Sequence, residues 1–240
     1  MATPIAQMPF VLSPAAAPVE RHGRVDLHLP AGDGPHPAVV VVHGAPLPPD
    51  AADPRDWLLF RGYAALLAEQ GLVAAVVSYH VEDLAALPAT ADDIAGMVEL
   101  VRADPRVDAD RVVLWFFSGG ALLMADWLRT SPPWLRGIAA TYPLLAPMPG
   151  WELDKRFLPV EALDATGALP LVLTRAGQDA PPILAGIEAF LDRAAHLGRS
   201  VRLIEVPDGR HAFDILDQTE QSREAVRTAR DAVVELLRAG

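Results

Sequence analysis

Residues 111–124 read RVVLWFFSGGALLM. Val112 to Phe117 make an apolar run of strand type that stops at Ser118-Gly119-Gly120, and a helical pattern (Ala121, Leu122, Leu123, Met124, Trp127, Leu128) starts at once. No loop fits between the two. A serine wedged between a buried strand and a helix, followed by two residues without side chains, sits on a tight turn with its hydroxyl exposed. The amides that follow open a helix, where unpaired N–H groups and the dipole favour developing negative charge. A nucleophile requires this geometry. Every parallel α/β sheet nevertheless has strand-to-helix turns, and glycine-rich ones cradle phosphate without reacting, so the segment alone fits a structural turn equally well. The dinucleotide pattern G-x-G-x-x-G and the phosphate loop G-x-x-x-x-G-K-[ST] are both absent.

Outward from this stretch, strand and helix patterns alternate. Ala38 to Val42 is a β-branched run ending in His43-Gly44-Ala45-Pro46, and Leu72 to Ser78, Gly137 to Tyr142, Leu171 to Thr174 and Val201 to Val206 are further strands. Helices are expected over Trp57 to Gln70, closed by Gly71, then Thr90 to Ala103 with Thr90 as N-cap, Ile183 to Leu197, and about Glu220 to Leu237. Phe10 to Leu12 and Gly23 to Pro30 alternate apolar with polar, as half-exposed antiparallel edge strands do. The fold class is therefore α/β, a mainly parallel doubly wound sheet flanked by helices. One domain over residues 1–240 is expected, with residues 144–169, which lack a clear period, forming either a small cap over a pocket or a long connection.

Two strand ends supply partners for Ser118. Asp179 follows the Leu171 strand in the segment RAGQD, and His211 follows the Val201 strand in DGRHAFD. In open parallel sheets ligands bind at these carboxyl ends. The chain order is serine, then acid, then histidine, with gaps that each hold a strand–helix unit or more, which suits a Ser-His-Asp triad. Asp208 and Asp214 lie too near the histidine in sequence to reach it from another strand, and Asp154 would need an unusual fold-back, so Asp179 is the expected acid. The backbone amides of Ala45 and Gly119 are the expected oxyanion donors, Pro46 having no N–H, while His43 is expected to brace its loop by hydrogen bonds. Phe117 and Trp151 are candidate substrate contacts, against the plainer reading that strand aromatics pack in the core.

Composition narrows the function classes. An apolar share of 51% in 240 residues supports a large core, and a net charge of −11 without basic runs argues against a nucleic-acid surface. There is no cysteine, which excludes disulfides, thiolate metal sites and a cysteine nucleophile, and the remaining histidines lack ligand spacing such as H-E-x-x-H. Neither a metal nor another cofactor is expected. The first residues make a poor secretory signal and no stretch is apolar enough to span a membrane, so a cytoplasmic protein without membrane association is the expectation. Edge strands leave a homodimer possible.

With these residues in place, the sequence resembles the α/β-hydrolase superfamily, and within it dienelactone-hydrolase-type and related small serine esterases. The resemblance covers about Gly23 to Leu237 and rests on HGA (His43 to Ala45), FFSGG (Phe116 to Gly120), RAGQD (Arg175 to Asp179) and DGRHAFD (Asp208 to Asp214), in the family's order. It implies an eight-stranded-type sheet, a Ser118 nucleophile, His211 as general base and acid, Asp179 as its orienter, and a small-molecule ester as substrate. Two departures stand out. Phe116 occupies the first glycine position of the family's G-x-S-x-G elbow, and the enzymes that name the dienelactone group use a cysteine nucleophile where this chain has Ser118. Alternatives within the same residues are a non-catalytic binding protein whose elbow Phe116 has spoiled, and the same triad acting on lactone, thioester, peptide or carbon–carbon bonds.

Overall fold

The computed structural model describes residues 3–48, 50–81 and 83–238. Its strands are β1 (Val19–His22), β2 (Val25–His28), β3 (His36–Val42), β4 (Val73–Val77), β5 (Val107–Phe117), β6 (Leu135–Thr141), β7 (Leu171–Ala176) and β8 (Val201–Val206). All eight lie in one sheet in the order β1-β2-β4-β3-β5-β6-β7-β8. β1 and β2 pair antiparallel, as do β2 and β4, and the rest of the ladder from β4 through β8 is parallel. The expected mainly parallel, doubly wound architecture is what the chain adopts.

Side-chain alternation divides the strands between two cores. Val40, Val42, Leu114 and Phe116 face one side, where α2 (Leu87–Arg102), α3 (Met124–Thr130) and α5 (Pro181–His196) pack. Val39, Val41, Trp115 and Phe117 face the other, covered by α1 (Leu58–Ala68) and α7 (Glu220–Arg238). A short helix, α4 (Pro159–Ala162), belongs to the first layer, and another, α6 (Phe213–Leu216), follows β8. With helices on both faces, β4 is buried throughout, as are β3 over Ala38 to Val42 and β5 over Val112 to Phe117, which is why these stretches read as unbroken apolar runs.

Phe116 enters the first core fully buried, with Val42 and the small Ala140 as its register partners on the adjacent strands. Its bulk is accommodated in the helix layer, so a large residue two positions before Ser118 does not displace the turn. Phe116→Ala is accordingly expected to destabilise the protein by about 3–5 kcal/mol through the cavity it leaves, read as a lower denaturation midpoint. A variant as stable as the parent would show that the site collapses around the smaller side chain.

Four local expectations differ from the structure. Phe10 to Leu12 is an irregular arm, anchored by a Val11 N–H bond to the Asp214 carbonyl at 2.9 Å and by the Phe10 ring 4.8 Å from that of Tyr63. β2 is buried throughout, its Asp26 carboxylate sealed by Arg21 at 2.7 and 2.8 Å and by Arg55 at 3.4 Å. Alternation cannot reveal a charge neutralised from another segment. Thr90 lies inside α2, its hydroxyl donating to the Ala86 carbonyl at 3.0 Å, because the helix starts three residues earlier with Pro88 in its first turn. After Ser118 the chain makes a 3₁₀ segment, Ser118–Leu123, before α3 begins.

Residues 144–169 hold two short 3₁₀ turns and α4 between β6 and β7. Leu145, Phe157 and Leu163 are fully buried in the helix-layer core, and α4 packs on α3. Their aromatic and apolar groups pack on that helix layer. Among the described residues, no helix is long and apolar enough to cross a membrane.

Candidate active site

Ser118 is the first residue after β5 and has φ +48. A left-handed backbone in a residue bearing a Cβ is strained and persists where the surroundings enforce it. The enforcement comes from the loop after β3. A Cβ on Gly119 would fall on the Ala45 carbonyl oxygen, and one on Gly120 would fall on the His43 carbonyl oxygen and lie 2.9 Å from the Tyr79 hydroxyl. The two glycines are thus required by close backbone approach, and that approach holds Ala45 beside the elbow.

His43 secures the loop. Its Nε2 accepts from the Tyr79 N–H at 3.3 Å, which places its proton on Nδ1, donating to the Gly44 carbonyl at 2.7 Å. The ring stacks on Tyr79 at 3.9 Å, and the Tyr79 hydroxyl donates to the His43 carbonyl. Burial pulls the imidazole down to about 4. It is a neutral brace, the role its position in the sequence suggested.

The structure brings Ser118, Asp179 and His211 together. Ser118 Oγ lies 2.7 Å from His211 Nε2, and His211 Nδ1 lies 2.6 Å from Asp179 Oδ2. Asp179 leaves β7 on a turn locked to the β8 loop, with Gly177 N–H on the Val206 carbonyl at 2.8 Å and Gln178 N–H on the Gly209 carbonyl at 2.9 Å. Its other oxygen, Oδ1, accepts the Ala180 N–H at 2.7 Å. With the carboxylate so held, Nδ1 carries the imidazole proton and Nε2 is left to accept from the serine hydroxyl. Ala45 lines the space in front of Ser118, and the Gly119 N–H lies in the first turn of the 3₁₀ segment, where no partner exists within the helix.

Beside Ser118 and His211 opens an apolar cavity of about 150 Å³, walled by Phe117, Trp57, Phe60, Leu47, Ile215 and Ile5. Phe117 therefore stands where it was expected, on the cavity wall, although nearly all of it is buried. Trp151 does not. It packs half-buried against the helix-layer core, on the side of the sheet opposite Phe117. The sequence reading missed the walls contributed by α1, α6 and the N-terminal arm, which reach the site only through long-range packing. It also missed Tyr142, which lines the cavity with φ +37 and its ring 4.8 Å from the imidazole. Its place at the carboxyl end of β6 was the available signal.

No family model matches the sequence, and no curated protein does either. Solved structures do match the fold. Thermogutta terrifontis esterase 2, phosphoramylated by tabun, superposes with a TM-score of 0.73 at 17% identity over 94% of this chain and 96% of that one. Esterase LipW from Mycobacterium marinum gives 0.70 at 20% identity over 88% and 76% of the two chains. Brefeldin A esterase, described as a bacterial homologue of human hormone-sensitive lipase, gives 0.68 at 20% identity over 90% and 73%. The fold is that of the α/β-hydrolase esterases.

Proposed function

We propose that the protein is a serine hydrolase that cleaves carboxylic esters of small or medium substrates through an acyl-enzyme on Ser118. The observation that carries this reading is the continuous hydrogen-bond chain from Ser118 Oγ through His211 to Asp179, opening on an apolar cavity. In the first step His211 Nε2 takes the hydroxyl proton as Oγ attacks the ester carbonyl, and Asp179 stabilises the imidazolium. The Gly119 and Ala45 amides hold the oxyanion. Protonated His211 then gives its proton to the leaving alkoxide, and water repeats the sequence on the acyl-enzyme to release the acid.

The structural neighbours support the reading. One form of the Thermogutta esterase holds butyrate and another is phosphorylated by paraoxon, which is what an activated serine beside a small acyl site permits. The motifs around Ala45, Ser118, Asp179 and His211 resemble those of small dienelactone-hydrolase-like esterases, with serine in place of cysteine, and that resemblance supports the reading. A spoiled elbow is not supported, since Ser118 keeps its bond to His211 with Phe116 packed away. The direct test is fluorophosphonate labelling with peptide mapping. Modification of Ser118 in the parent protein and none in Ser118→Ala is the expected result; folded parent protein that stays unlabelled would favour a binding role.

Cavity size sets the substrate range. An apolar space of about 150 Å³ takes up a molecule the size of benzene, so butyrate-sized or single-ring groups fit within it. Ile5 closes the wall from the arm and is itself 47% exposed. Ile5→Ala is expected to raise the octanoate-to-acetate ratio of kcat/KM roughly tenfold, since methylene-sized changes in an apolar pocket act at this scale. An unchanged ratio would remove the arm from the pocket.

A further inference from the structure

The mechanism above leaves two buried acids without a role: Asp26, which Arg21 and Arg55 neutralise, and Asp214. Asp214, the first acid after the histidine, is completely buried. Its carboxylate accepts the Tyr63 hydroxyl at 3.0 Å and the Tyr142 hydroxyl at 2.9 and 3.1 Å. Among the described residues, no Arg or Lys bonds to it. A buried carboxylate without a cation is costly, and an apolar residue would fill the same space without that cost. Its surroundings converge on His211. Tyr63 comes from α1, Tyr142 from the end of β6 and Asp214 from α6, while the Tyr142 ring faces the imidazole at 4.8 Å. The left-handed Tyr142 backbone is pinned by its N–H bond to the Thr174 carbonyl at 2.8 Å.

We propose that Asp214 is a positioning residue of the reaction: with Tyr63 and Tyr142 it fixes the Tyr142 ring against the imidazole, and its negative charge favours the imidazolium that forms as Ser118 is attacked. The inference rests on the Ser118–His211–Asp179 reading. The groups that share this surrounding are Asp179 on Nδ1, the two tyrosines, neutral His43 across the cavity, and Arg210, which Asp217 neutralises on the exposed side of the loop. His211 is the group among them whose charge changes in the reaction. Burial pushes the Asp214 carboxyl up to about 6 against the two tyrosine hydrogen bonds, so it is charged at neutral and alkaline pH. An anion there stabilises positive charge developing on the imidazole. Removing it moves the acid limb of the activity profile to lower pH and lowers the plateau, because the same imidazolium is less stabilised in the transition state.

The experiment follows the pH dependence of two rates, phosphonylation of Ser118 by a fluorophosphonate and kcat/KM on a short-chain ester. It uses the parent, Asp214→Asn and Tyr142→Phe. Asparagine keeps an acceptor for the tyrosines and loses the charge. Its acid limb is expected to fall by about 0.5–1 pH unit, less than a charge in direct contact produces, with kcat down about tenfold and KM nearly unchanged. Tyr142→Phe keeps the ring on the imidazole but removes a donor, so the carboxylate becomes charged only at higher pH and the limb moves the same way by less. This variant also tests the inference if Asp214→Asn does not fold. Folded variants with the parent's limb and plateau would overturn it, whatever their melting temperature. A parent protein that is not labelled at Ser118 would instead refute the triad reading, and this inference with it.

Discussion

Ser118→Ala is expected to lower kcat by roughly 10⁶-fold on any ester the parent protein turns over, the loss seen when the serine of a serine–histidine–aspartate unit is removed. The oxygen lost is the one 2.7 Å from His211 Nε2, and no other hydroxyl occupies that position to replace it. The fold should survive. Alanine bears the same Cβ as serine at φ +48, so the strain in the turn is unchanged, and the residue's carbonyl keeps its bond from the Leu144 N–H at 3.0 Å. Steady-state assays together with circular dichroism check both halves. A folded variant retaining more than about one part in a thousand of the activity would mean that Ser118 is not the nucleophile.

Gly119→Ala should also be severely damaging, by a different route. The added methyl would overlap the Ala45 carbonyl oxygen and stand 3.0 Å from the Ala45 carbonyl carbon and 3.4 Å from its nitrogen. These are backbone atoms and cannot rotate aside. Either the loop after β3 retreats or the elbow rotates, and both separate the two amides that hold the oxyanion. Loss of one such donor costs about 10²- to 10³-fold in rate; displacing both is expected to cost at least 10³-fold, with a lowered melting temperature. Where the loop is what retreats, Ser118 and His211 stay bonded, and slow fluorophosphonate labelling should persist while ester turnover fails. Near-parental kcat would show that the Ala45 and Gly119 amides do not bind the oxyanion.

The sheet was legible in the sequence because its causes are local. β3 from Ala38, β4, β5 from Val112, β6 from Gly137 and β7 over Leu171 to Leu173 are apolar runs that end near turn residues, β8 alternates, and a helix buried on one side carries its own period. Ser118, Asp179 and His211 could be named because each follows a strand, and parallel strands deliver their ends to one edge. Local pattern misled where the neutralising or covering group came from elsewhere. Asp26 read as half-exposed, yet Arg21 and Arg55 neutralise it in a buried strand, and Thr90 looked like a cap, yet α2 starts three residues earlier with Pro88 in its first turn. Trp151 needed something to cover, and what it covers is the helix layer rather than the cavity.

The amino-acid sequence by itself determined the alternation of strands and helices, the elbow serine, and an acid and a histidine at the right strand ends. Those features are written in the order and period of neighbouring residues. Only the tertiary structure decided the cavity, with Ile5 from the N-terminal arm, Trp57 and Phe60 from the start of α1 and Ile215 from α6 arriving from three separate segments, and the burial of Asp214 between Tyr63 and Tyr142. Both depend on contacts between residues far apart in the chain, which sequence periodicity does not carry.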